Sequence, residues 1–211
     1  MKVKLTIMTY VYPMILSKVV KEQLIKYYSE DNLDYLLKNT GNEYKEILRR
    51  SPDIGGNKNS FMGTFLMGAY LVALYKNTKD KLSLDDFNLL VADGLRSFKF
   101  MKKQMKKEDL LSIEYKNKIK LAGKWFKKNE DKYPDNWQVE VRQEENTELT
   151  NIIFTKCALC VLCKNEGVSE FISSLCATDY ITMSFSNCNL YRPTTLGKGD
   201  SCCDFYITRL G

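Results

Sequence analysis

The chain has 211 residues, of which 44% are hydrophobic and 27% charged, a usage that excludes a disordered or fibrous chain and allows a sizeable buried core. Its net charge of +6 is built mostly by lysines between Lys102 and Lys128, but Glu108, Asp109, Glu114, Glu130 and Asp131 are mixed among them and no nucleic-acid motif accompanies them, so a solvated helical face is expected and no nucleic-acid partner. The absence of histidine excludes Ser-His-Asp triads, Cys-His dyads, HExxH zinc sites and histidine-ligated haem.

The first residues carry two lysines and a mildly apolar stretch broken by Thr6, Thr9, Tyr10, Tyr12 and Pro13. That is neither a secretory segment nor the run of about 20 apolar residues that spans a bilayer, so a cytoplasmic protein without a membrane span is expected. Residues 14–38 repeat apolar side chains at helical spacing, with Ile15, Val19, Leu24, Leu33 and Leu36 on the recurring face, and predict one or two helices. A short helix near 43–49 precedes the loop SPDIGGNKN at 51–59, where proline, paired glycines and asparagines are turn chemistry. Ser60 to Tyr75 is apolar nearly all round and predicts a buried central helix. Two more helices are expected at about 84–101 and 108–129, the latter bounded by Asn129 and Pro134.

After Pro134 the period changes. Trp137, Val139 and Val141 alternate with polar neighbours, and the stretch TELTNIIFTKC follows, which together predict a β-hairpin. A helix from Ser169 to Phe185 comes next, and then NLYRPTTL and CCDFYITRL as two closing strands around the turn GKGD. The expected fold is α+β in a single domain. A helical part of about 1–133 packs on one face of a small antiparallel sheet supplied by a cysteine-rich part of about 134–211.

All seven cysteines lie between Cys157 and Cys203. Their odd number, with no secretion signal, argues against a disulfide framework and leaves buried, metal-bound or reactive thiols. Cys157, Cys160 and Cys163 form CxxCxxC, similar to an iron–sulfur spacing, but position 167, where that spacing needs its next cysteine, is Gly167. No metal and no cofactor are therefore expected.

The loop PDIGG with Asn59, the apolar helix ending in ALYK, Cys157, the stretch LCATDY and the closing YRPTTLGKGDSCCDF together resemble the L-2-amino-thiazoline-4-carboxylic acid hydrolases from about residue 48 onward. The most specific parts are Cys176, Asp179 and Tyr180 in one stretch and Arg192, Thr195, Gly199, Asp200, Cys203, Asp204 and Phe205 in the other. The last part also resembles, more distantly, the 4-vinyl-reductase and TRAPP-type ligand-binding domains, a likeness that bears on fold. Cys160, Cys163, Cys188 and Cys202 go beyond the cysteines the first family leads one to expect.

The family's reaction, as the resemblance implies it, adds water to the isothiourea carbon of a 2-amino-thiazoline and expels the ring sulfur, leaving an N-carbamoyl cysteine. Without histidine, proton transfer and attack fall to carboxylates, tyrosine, lysine or cysteine. Asp179, Asp200 and Asp204 are the carboxylates suited to hold the amidinium cation, and Arg192 has the fork that grips a substrate carboxylate. The expected catalytic residues are Cys176, Asp179 and Cys203, with Cys176 as nucleophile because Asp179 lies three residues on along one helical face. Arg192, Tyr180, Thr195, Asp204 and Asn59 are the expected contacts to a small-molecule substrate bearing a carboxylate. Two other functions share these residues: a non-catalytic module for a small molecule or lipid, and a thiolate metal sensor.

Overall fold

The structure is a computed structural model, and it describes residues 7–143 and 145–211. The lysine-flanked start at 1–6, which bears on the expectation of no secretory segment, lies outside them. The fold is α+β. Helices α1 (Ile7–Leu24), α2 (Glu30–Arg50), α3 (Met62–Thr78), α4 (Leu84–Ser97), α5 (Lys99–Met105) and α6 (Ile113–Lys128) precede the hairpin of β1 (Gln138–Arg142) and β2 (Leu149–Lys156). Then come α7 (Ala158–Asn165), α8 (Ile172–Phe185), β3 (Cys188–Tyr191) and β4 (Cys203–Arg209). Among the described residues no helix is long and apolar enough to cross a membrane.

The apolar run beginning at Ser60 is the central helix, α3. Phe65, Leu66, Ala69, Tyr70, Val72 and Leu74 on its several faces are all buried, which a stretch without a polar face requires. Each of its buried phenylalanine, leucine and valine side chains stabilises the fold by about 1.5–3 kcal/mol in transfer free energy. α2 is the amphipathic partner, burying Leu33, Leu36, Tyr44, Ile47 and Leu48 against α3 and absorbing the short helix expected near 43–49. Ser83 and Ser112 cap α4 and α6, each hydroxyl accepting an N–H from three residues on, at 3.1 Å in both cases.

The sheet is four-stranded and antiparallel in the order β1-β2-β4-β3, so the last strand inserts between the hairpin and β3. Along β4, Cys203, Phe205 and Ile207 point into the apolar interior while Asp204 and Tyr206 take the other face, the period-two alternation of a strand. α6 packs on β1 and α8 on β3.

Several boundaries differ from expectation. The helix expected at 84–101 is two: at Phe98, ψ of 79° breaks the helix and lets its ring pack on the core, and α5 restarts beyond it. α6 begins only at Ile113, because Asp109 accepts the Leu111 N–H in a turn that sends Leu110 and Leu111 into the core beside the sheet. α7, over the CxxCxxC segment, was not anticipated. The closing pair is not a tight hairpin about GKGD: β3 ends at Tyr191, and residues 192–202 form a folded connection with a 3-10 turn at Leu196–Lys198.

Candidate functional site

Helices α3, α5, α6 and α8 and the inner face of the sheet enclose a cavity of about 770 Å³. Its walls are largely apolar. Phe61, Trp125, Trp137, Phe154 and Phe205 supply aromatic surface, and Met67, Met101, Met105 and Met183 supply flexible thioethers. Lys58 and the ion-paired Lys118 and Glu108 line it where exposed residues meet solvent.

The polar chemistry is gathered at one wall, where Cys157, Cys160, Cys176, Cys203, Asp179 and Arg192 all line the cavity. α8 presents Cys176 and Asp179 one turn apart, β4 presents Cys203 on its inward side, and the connection after β3 begins with Arg192. That connection lies directly on α8: a Cβ on Gly197 would stand 2.3 Å from Ile172 Cγ2 and 3.7 Å from Cys176 Sγ, so only glycine allows so close an approach.

Arg192 is held on several sides and its side chain is 3% exposed. Nη1 donates to Asp179 Oδ2 at 2.7 Å, Nη2 donates to the Cys176 carbonyl at 2.9 Å, and the guanidinium lies over the Tyr180 and Phe205 rings at 5.1 and 4.9 Å. Nε is buried and, among the described residues, has no hydrogen-bond partner. An unsatisfied buried guanidinium N–H costs free energy unless a ligand takes it. Burial raises the Asp179 carboxyl to about 6, a rise the Arg192 charge and hydrogen bond only partly oppose. The carboxylate is thus poised near neutrality while still reaching the cavity, its side chain 36% exposed.

The thiols differ sharply in character. Burial pushes Cys176 up to about 12, with Arg192 pulling the other way, and burial also raises Cys203, whose sulfur accepts the Leu196 N–H at 3.2 Å. Both are protonated thiols at neutral pH, which counts against the expected attack by Cys176. Cys160 is raised strongly by the neighbouring Cys157 and by burial. Cys157 is lowered, to about 7, by the neighbouring Cys160 thiol and by the nearby N–H groups of Cys160 and Leu159 at the start of α7, which outweigh burial although the Cys157 side chain makes no cap hydrogen bond.

The remaining expected contacts are engaged away from the cavity. Asn59 is buried in the 51–59 loop, where Nδ2 donates to the Ile54 carbonyl at 2.8 Å and to Asn136 Oδ1 at 3.1 Å while Oδ1 accepts the Phe61 N–H at 2.8 Å. It shapes the rim that carries Lys58 and Phe61. Thr195 is buried in the 192–202 connection, its N–H donating to Asp200 Oδ2 at 2.7 Å. Asp204 lies on the outer sheet face and accepts from Asn151 Nδ2 at 2.7 Å and from the Tyr206 hydroxyl at 2.8 Å. Tyr180 is 43% exposed and meets Arg192 through its ring. None of these four residues lines the cavity, and Thr195 holds the connection through its backbone.

The sequence places Cys157 and Cys160 in an incomplete metal motif and marks nothing of the aromatic wall. The missed signal was a CxxC set at the junction of a β-rich run and the following helix. Among the described residues no group of three or more cysteine, aspartate and glutamate side chains could hold a metal ion, because α7 turns Cys163 into the core, away from the cavity that Cys157 and Cys160 line.

Fold and site together define an α+β protein with a thiol-lined apolar cavity and one buried guanidinium–carboxylate pair. The family model for L-2-amino-thiazoline-4-carboxylic acid hydrolases matches residues 64–207, most of the chain, and the chain belongs to that family. No curated protein and no solved structure gives a significant match.

Proposed function

We propose that the protein is a hydrolase that opens a 2-amino-thiazoline or related amidine ring bearing a carboxylate and carried on a larger apolar framework, in amino-acid sulfur metabolism or the tailoring of a natural product. The observation that carries this reading is the Arg192–Asp179 pair at the polar wall of an otherwise apolar cavity. The guanidinium suits a substrate carboxylate, and the Asp179 carboxylate suits the amidinium whose carbon is attacked. Holding the cation keeps that carbon electrophilic while water adds and the ring sulfur departs. Family membership supports the reaction class.

Size supports the apolar framework. Cavities of about 300–1,000 Å³ take drug-sized ligands, so a lone substituted five-membered ring fills only a fraction of 770 Å³. A series of 2-amino-thiazoline-4-carboxylates with lengthening apolar substituents tests this directly. Each buried methylene, at about 0.8 kcal/mol, should raise kcat/KM about fourfold until the cavity is full. Asp179→Asn should lower kcat roughly a hundredfold across the series. Tight binding of the series without ring opening would instead establish a non-catalytic binding module, the reading that the aromatic and methionine walls favour.

A further inference from the structure

We infer that the mouth of the cavity is a docking face for anionic lipid headgroups, through which the protein sits on a membrane surface and draws an apolar ligand directly from it. This goes beyond the hydrolase reading and does not rest on it, since it needs only the apolar cavity. A side chain that both lines a cavity and stands largely in water marks the place where the cavity opens. Lys58 and Ser60 ahead of α3, and Lys118 and Leu121 on α6, meet that description. Leu121 is 66% exposed, a large aliphatic side chain held in water at the opening.

The surface around this opening is basic with apolar side chains set into it. α6 turns Ile119, Ala122 and Phe126 inward. On its other side Ile113, Asn117, Leu121, Lys124 and Lys128 recur every three or four residues and are all exposed, so one stripe carries two large apolar side chains among lysines. α5 lines the same cavity with Met101 and Met105, and it exposes Phe100 together with Lys103. From Lys99 to Lys128 lysines outnumber carboxylates by eleven to three, and one of those carboxylates, Glu108, is already paired with Lys118.

Two features select a lipid surface over an acidic protein. No arginine occurs between Arg96 and Arg142, so the cations of this face are all lysines. Protein interfaces favour arginine over lysine, because the guanidinium fork holds a carboxylate in fixed geometry while lysine is a point charge on a flexible stem. Headgroups of a fluid anionic leaflet have no fixed positions to match, and each lysine near them contributes its own attraction. The second feature is the exposed aliphatic and aromatic side chains. Phe100, Ile113 and Leu121 are suited to enter the boundary between headgroups and acyl chains, while lysine stems cover apolar surface and keep their ammonium groups at the phosphates. With the mouth held there, an apolar molecule passes into the 770 Å³ cavity without first being dispersed in water.

Co-flotation of the full chain with vesicles tests this, using phosphatidylcholine alone and phosphatidylcholine mixed with phosphatidylglycerol. Binding should require the anionic lipid and weaken as salt is raised. The double variant Lys124→Glu, Lys128→Glu should bind roughly thirtyfold more weakly, at about fivefold for each lysine lost, and Leu121→Ser roughly tenfold more weakly. All three positions are exposed, so thermal transitions should not move. Lys38→Glu with Lys45→Glu makes the same change in net charge on exposed positions of α2, which does not line the cavity, and should leave binding unaltered. Equal binding to both vesicle types, binding to neither, or equal losses in the α2 and α6 double variants overturns the proposal. Binding to soluble polyglutamate as tight as to the anionic vesicles overturns it in favour of an acidic protein partner. A wild-type dimer that Leu121→Ser dissociates overturns it in favour of a second copy of the chain.

Discussion

Replacing Arg192 by methionine keeps the length and apolar stem of the side chain and deletes its charge. In the wild type the guanidinium lies 2.7 Å from Asp179 and 2.9 Å from the Cys176 carbonyl, between two aromatic faces. Removing one member of a buried ion pair costs about 3–5 kcal/mol, because the other is left charged and unpaired. Asp179 is 36% exposed to the cavity, so water screens part of that cost, and about 2–3 kcal/mol is expected at pH 8. The penalty must depend on pH. The folded-state Asp179 carboxyl stands at about 6, above its ordinary 3.8, and loss of Arg192 raises it further. A carboxyl raised in this way contributes stability that is complete below the unfolded value and is lost as pH climbs through the folded one. At pH 5 Asp179 is therefore mostly neutral and scarcely needs a cation, and the cost of Arg192→Met should fall to about 1 kcal/mol, the share left for lost hydrogen bonding. Urea unfolding of both proteins at pH 5 and pH 8 measures the difference, and repeating it in an Asp179→Asn background isolates the pair. An equal penalty at both pH values, or one unchanged in that background, would refute the electrostatic account.

Gly123→Ala should destabilise the protein by about 1–3 kcal/mol, because the new Cβ would stand 2.2 Å from the Val139 carbonyl oxygen where α6 crosses β1, and backbone cannot rotate away. A thermal transition lowered by several degrees is the expected reading, and an unchanged one would mean that α6 and β1 sit further apart. Asn59→Ala should cost about 2–4 kcal/mol, since it strips donors and acceptors from Ile54, Asn136 and Phe61 inside a buried loop. Limited proteolysis at 51–59 should accelerate in that variant.

What could be read in the sequence was whatever rests on local pattern. The uninterrupted apolar run of α3 has no polar face to offer, so its burial follows from composition alone. The alternation in β4 dictates that Cys203 and Asp204 face opposite ways. The spacing of Cys176 and Asp179 sets them on one stretch of α8 that borders the cavity. What escaped depends on tertiary placement. The break at Phe98 is made by a ring seeking the core, which no propensity encodes. Thr195, Asp204 and Asn59 look like ligand contacts in one dimension, yet none of them lines the cavity: Asp204 accepts from Asn151 and Tyr206, Asn59 bonds Ile54, Asn136 and Phe61, and Thr195 is buried with its N–H on Asp200. The contrast among the thiols is likewise invisible in sequence, since it arises from how deeply each sulfur is buried and which groups the tertiary fold sets beside it.

The methionines of the cavity wall have a consequence for selectivity. Arg192 and Asp179 are fixed by hydrogen bonds and flanking rings, whereas Met67, Met101, Met105 and Met183 are unbranched and can change rotamer at small cost. A molecule entering the cavity is thus judged by two standards. Its charged head meets a rigid template, where one misplaced group leaves a buried ion without its partner, while its tail meets a surface that remoulds around it. For the substrate class proposed above, such a division would discriminate severely between head groups and leniently between tails, so related molecules sharing one reactive end would be accepted together.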